Sequence, residues 1–166
     1  MKEITHFING AFTAPDKGAR KGEIFDPATG EVSGFVDFAS VEVVDQAVAS
    51  AVKGFEEWRN TSLAKRVQTL FAFRELLNAR KEELAAIITS EHGKVLSDAL
   101  GEVTRGMEVV EFACGIPHLL KGGYSEGVST GIDSYSIRQP LGVVGIISPF
   151  NFPAMVPMWF LSLIHI

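Results

Sequence analysis

The chemistry of this chain concentrates in Ser148-Pro149-Phe150-Asn151-Phe152-Pro153, which follows a continuous apolar run, Leu141-Gly142-Val143-Val144-Gly145-Ile146-Ile147. In open α/β sheets ligands sit just beyond the carboxyl ends of strands, and this turn occupies such a place. Asn151 brings two amide N–H donors between aromatic and proline neighbours that restrict the backbone and exclude water. A neutral donor held there suits a developing oxyanion. The same side chain could instead close an Asx-type turn.

Other ligand and nucleophile patterns are missing. His6, His92, His118 and His165 are isolated, with no HExxH or paired-Cys spacing, so no metal site is expected. Neither G-x-G-x-x-G nor G-x-x-x-x-G-K-[ST] occurs, and Gly142 and Gly145 read as places where a helix packs closely on a strand. The sole cysteine, Cys114, falls on the apolar stripe of a helix with no basic residue at helical spacing. A buried, inert thiol is expected.

The elements that must hold these residues are legible in the spacing. Phe7-Ile8, Phe12 and Ile24-Phe25, separated by turns at Asn9-Gly10, Pro15-Asp16-Lys17-Gly18 and Asp26-Pro27-Ala28-Thr29-Gly30, predict an irregular surface β segment over 6–37. Ser40 reads as the N-cap of a first helix that buries Val41, Val44, Val48, Val52, Phe55 and Trp58 and ends near Asn60. A second helix is expected from Thr61 or Ser62 to a Gly C-cap at His92-Gly93, with Leu63 through Ile88 on one stripe. The third runs from Val95 to Gly115, with Leu96, Leu100, Val103, Met107, Val110 and Cys114 inward. Gly101 and Gly106 inside it cost about 1 kcal/mol each relative to Ala, so something is expected to pack against that backbone. Residues 124–138 predict a hairpin, and 141–147 a parallel strand buried on both faces by helices. Such a strand needs parallel neighbours, so the chain reads as the front of a larger α/β protein. On this reading the carboxyl end is an unpaired apolar edge, and cutting back to about residue 120 is expected to improve solubility while keeping the helices.

Composition narrows the class. Among 166 residues, 46% are apolar and 21% charged, which is globular, and a net charge of −5 without a basic stripe excludes nucleic acid and anionic membrane surfaces as expected partners. The uncharged stretch from Leu141 is cut by Pro149, Pro153 and Pro157, against a membrane span. One cysteine and a polar start point to the cytoplasm.

Asn9-Gly10 after Phe7-Ile8, Asp26-Pro27-Ala28-Thr29-Gly30-Glu31, Trp58-Arg59, Glu91-His92-Gly93-Lys94 and the run from Gln139 to Pro153 resemble, in order and spacing, the aldehyde dehydrogenase superfamily over nearly the whole chain. Residues 102–117, with Phe150 where many members have Trp, most resemble its CoA-acylating methylmalonate-semialdehyde dehydrogenases. The resemblance implies an α/β fold, of which 1–166 form the N-terminal portion of the NAD-binding domain. That portion comprises an irregular β segment, three helices, a hairpin at 124–138 used for oligomerisation, and the first strand of the parallel NAD-binding sheet. The catalytic domain and its Cys are expected to be absent, leaving this chain inactive alone, and Phe160–Ile166 are expected to depart from the family pattern. The implied chemistry is attack of an enzyme Cys on a malonate or methylmalonate semialdehyde, hydride transfer to NAD, and passage of the acyl group to CoA with loss of CO2. Asn151 would then be the oxyanion donor, Ser148 and Phe150 would contact NAD, and Arg105 would bind the substrate carboxylate through its guanidinium fork. Arg105 also lies three residues from Glu102 and Glu108, where a helix-face ion pair is the alternative. A homotetramer is implied for the full-length enzyme. A succinate-semialdehyde enzyme or a non-enzymatic helical module are the other readings.

Overall fold

The computed structural model describes residues 1–15 and 18–166; of the expected turn at 15–18, Asp16 and Lys17 lie outside the described residues. Five short strands open the chain: β1 (Lys2–Ile4), β2 (Phe7–Ile8), β3 (Ala11–Phe12), β4 (Lys21–Phe25) and β5 (Val32–Asp37). Asn9-Gly10 joins β2 to β3 as a hairpin, with the Phe7 and Phe12 rings edge to face at 5.1 Å. The other three form a sheet in the order β1-β5-β4, β1 parallel and β4 antiparallel to β5. Sequence spacing found β2, β3 and β4 but not β1 or β5. The polar start conceals β1, and its pairing of Lys2 with Gly34 is not a local signal. Gly34 is required there, since a Cβ would sit 2.7 Å from the Lys2 carbonyl oxygen.

Helix α1 (Val41–Arg59) begins where Ser40 Oγ accepts from the Val43 N–H. The single helix expected from residue 61 to 93 is two: α2 (Leu63–Ala79), capped by Ser62, and α3 (Lys81–His92), closed by Gly93. Arg80 breaks them apart with φ −118° and ψ 19°. No Gly or Pro marks the break, and the apolar spacing runs through it from Leu77 to Leu84. Packing makes the turn, because both helices lie on α4 (Leu96–Gly115). A 3-10 turn (Ile116–His118) follows α4, then the hairpin of β6 (Tyr124–Ser129) and β7 (Ile132–Tyr135), close to the expected place and exposed throughout, and finally α5 (Met155–Ile164). The core lies where α3, α4 and α5 meet, at Ala85, Ile88, Ala99, Val103, Val110 and Met158.

Two further expectations fail. The apolar stripe of α1 is not buried: Val41, Val44, Val48 and Val52 are exposed, and Val44 and Val48 line an open groove of about 420 Å³ with Val143 and Val144. Periodicity marks a face without saying how much chain covers it, and here the short segments at His6–Ile8 and Val143–Val144 border the groove without covering it. Residues 141–147 form no strand; Leu141 and Ile147 are each 97% exposed. A strand draws its hydrogen bonds from neighbours, and among the described residues none lies alongside. Among the described residues no helix is long and apolar enough to cross a membrane, and no group of three or more His, Cys, Asp or Glu could hold a metal ion.

Candidate active site

The turn before α5 is held from beneath by two residues that sequence reasoning did not single out as functional. Lys94, just past the Gly93 cap of α3, extends its ammonium to Glu102 Oε2 at 2.5 Å and donates to the backbone carbonyl of Asn151 at 2.9 Å. The same Nζ sits 4.7 Å from the centre of the Phe152 ring. Glu102, fully buried on α4, turns its other oxygen to the backbone N–H groups of Ala154 and Met155, at 2.9 and 3.1 Å. Helix α5 has no side-chain cap of its own, and this carboxylate satisfies its first donors from a neighbouring helix while meeting the positive end of its dipole.

Burial acts most strongly on the Glu102 carboxyl and by itself would raise its pKa. The Lys94 ammonium and the two amide donors together outweigh burial and hold the group below its ordinary range, so it stays ionised. The approach of α5 to α4 depends on Gly106, one turn along the same face. A Cβ there would lie 2.6 Å from Met158 Sδ and 3.2 Å from Met155 Cα. The expectation of close packing is met at Gly106 and not at Gly101, where a Cβ would meet nothing within 4 Å.

Asn151 is therefore fixed through its main chain. Its side-chain amide is exposed and has no hydrogen-bond partner among the described residues, which removes the Asx-turn alternative. Ser148 is half-buried with its hydroxyl similarly unpartnered, and Phe150 is 92% exposed. These three share one turn. Arg105 stands apart on α4, exposed, with no hydrogen bond to that turn. The ion pair with Glu102 or Glu108 does not form either, because Glu102 points inward to Lys94. Cys114 is half-buried, and burial first, then the charge of Glu111, pushes its thiol pKa up, the opposite of an activated nucleophile. A signal for Glu102 did exist in the sequence: it lies in phase with the buried positions Ala99, Val103 and Gly106. An acidic side chain on an apolar helical face requires a buried partner.

The family model described as the aldehyde dehydrogenase family matches residues 12–163. The chain belongs to the aldehyde dehydrogenase family. The matched region ends at residue 163, within the segment Phe160–Ile166. This aldehyde dehydrogenase chain is 46% identical over 159 residues to a malonate-semialdehyde dehydrogenase of Pseudomonas aeruginosa, covering 96% of the chain and 32% of the relative. It is 48% identical over 163 residues to malonate-semialdehyde dehydrogenase 2 of Geobacillus thermodenitrificans, covering 98% and 33%. The crystal structure of a methylmalonate-semialdehyde dehydrogenase from Oceanimonas doudoroffii superposes with a TM-score of 0.93 at 47% identity, over 98% of this chain and 33% of that one. The chain thus spans about a third of the length of the relatives it matches. Its fold is the amino-terminal part of the mixed α/β aldehyde dehydrogenase fold.

Proposed function

We propose that this chain is the amino-terminal third of an NAD-dependent, CoA-acylating dehydrogenase of malonate or methylmalonate semialdehyde, giving acetyl-CoA or propionyl-CoA with NADH and CO2. The observation that carries this reading is Asn151, an exposed residue whose backbone is held by Lys94 while its side-chain amide has no partner among the described residues. When a cysteine thiolate from the remainder of the enzyme adds to the aldehyde carbon, the carbonyl oxygen takes up negative charge, and the Asn151 Nδ2–H groups donate to it. The exposed Phe150 and the Ser148 hydroxyl, unpartnered among the described residues, fit a cofactor with flat rings and polar edges, and they are the residues that would hold NAD. NAD, when bound, supplies the hydride acceptor. Arg105, exposed and free of ion pairs among the described residues, holds the substrate carboxylate through a bidentate contact. The exposed hairpin β6–β7 is the element through which subunits of the proposed homotetramer assemble.

The test uses the complete dehydrogenase. Malonate semialdehyde with NAD should yield acetyl-CoA when CoA is supplied, and NADH formation indifferent to CoA, with a free acid as product, would overturn the acylating reading. Arg105→Leu should cut kcat/KM for malonate semialdehyde by about tenfold to a hundredfold, mainly through KM, and barely affect propanal, which has no carboxylate. Equal losses on both aldehydes would remove the recognition role.

A further inference from the structure

We propose that Lys94 and Glu102 are positioning residues for the oxyanion donor: the pair clamps the backbone on both sides of the Phe152-Pro153 dipeptide and so fixes where the Asn151 amide points. The inference rests on the oxyanion role given to Asn151 above. One carboxylate and one ammonium hold three backbone groups of a five-residue segment, namely the Asn151 carbonyl and the Ala154 and Met155 N–H groups. Between the held groups lie Phe152, whose ring lies against the Lys94 ammonium, and Pro153, whose φ is fixed by its own ring. With its carbonyl direction set, the Cα–Cβ bond of Asn151 has little freedom. The amide is free to donate because the clamp uses only main-chain atoms of that residue.

Charge explains why two residues are needed. A lone ammonium beside the amino end of α5 would meet the positive end of the helix dipole. Glu102, bonded to both the ammonium and the helix amides, cancels that repulsion and holds the cation against the Asn151 carbonyl. Such a supporting contact is what keeps a catalytic donor within a fraction of an ångström of its working position.

A double-mutant cycle in the complete dehydrogenase tests this, read as the single-turnover acylation rate and as KM for NAD. Asn151→Ala should slow acylation by about 10²–10³-fold. Lys94→Met should slow it by about tenfold to a hundredfold with KM for NAD unchanged, and Lys94→Arg, which keeps donors to both partners, should restore most of the rate. In the Asn151→Ala background, Lys94→Met should add no further loss, because the group it positions is gone. Equal loss from Lys94→Met in both backgrounds would show a general structural role and overturn the proposal, as would an unimpaired Lys94→Met beside an impaired Asn151→Ala. An unimpaired Asn151→Ala would overturn the oxyanion reading itself and this inference with it. Should Lys94→Met fail to fold by thermal melting, Glu102→Gln replaces it in the same cycle, with the same outcomes expected and excluded.

Discussion

Glu102 keeps a full charge in the interior because a cation and two amide donors converge on its two oxygens. Removing one partner of a buried pair costs about 3–5 kcal/mol, so Glu102→Ala should lower stability by that order at neutral pH. Its carboxyl is held below the ordinary value of 4.5, so its contribution is fully present above that pH and is lost as pH falls through the depressed folded value. Thermal melting of wild type and Glu102→Gln should therefore diverge at pH 7 and converge below about 4.5. A gap constant with pH would show that the carboxyl does not titrate as argued. At this scale the sequence was partly informative. Asn151, flanked by aromatic and proline residues, marked the turn whose backbone Lys94 holds. The choice between donor and turn-former depended on where its own amide pointed, which residue type and spacing do not encode.

At the scale of elements, α4 illustrates what spacing can and cannot say. Its buried face was legible as a three- and four-residue recurrence, and two glycines on the helix raised the expectation of close packing at both. Gly106 touches α5 and Gly101 faces open space. Gly101→Ala should thus stabilise the protein by about 1 kcal/mol through helix propensity. Gly106→Ala should destabilise it, since overpacking costs about 1–3 kcal/mol and its new methyl group meets backbone as well as the Met158 sulfur. Denaturant unfolding of the two variants would decide the matter, and shifts of equal sign would contradict the contact. The missed break at Arg80 has a related cause. A stripe repeating every three or four residues continues in phase across a single non-helical residue, so the turn from α2 to α3 leaves no trace in the pattern.

For the molecule as a whole, the least legible feature was coverage. The stripe on α1 and the run 141–147 were correctly read as apolar, yet burial is a property of two surfaces, and only one of each pair can be seen in a local pattern. Ending the chain near residue 120 carries a cost that the local pattern does not show. Helix α5 contributes Met155 and Met158 to the interior and supplies the amides that Glu102 binds, so that cut would uncover a charged core position. The contact between Gly34 and the Lys2 carbonyl gives a test at this scale. Gly34→Ala should detach β1 and speed amide hydrogen exchange in β1 and β5 while far-UV circular dichroism keeps its helical signal. Unchanged exchange would mean that the sheet tolerates the methyl group.

The parallel pairing of β1 with β5 also imposes an order in time during synthesis. Strand β1 leaves the ribosome before its partner, which lies about thirty residues behind and at about 5–20 residues per second follows after roughly 2–6 seconds. Throughout that interval β1 is a bare edge, the kind of surface other nascent chains can capture. Lys2 and Glu3 place opposite charges on it, which discourages capture, and each later finds a fixed partner: Lys2 with Glu91 of α3 at 2.6 Å, and Glu3 with Lys21 of β4 at 3.0 Å. The same two side chains that guard the waiting strand become its tethers once it docks.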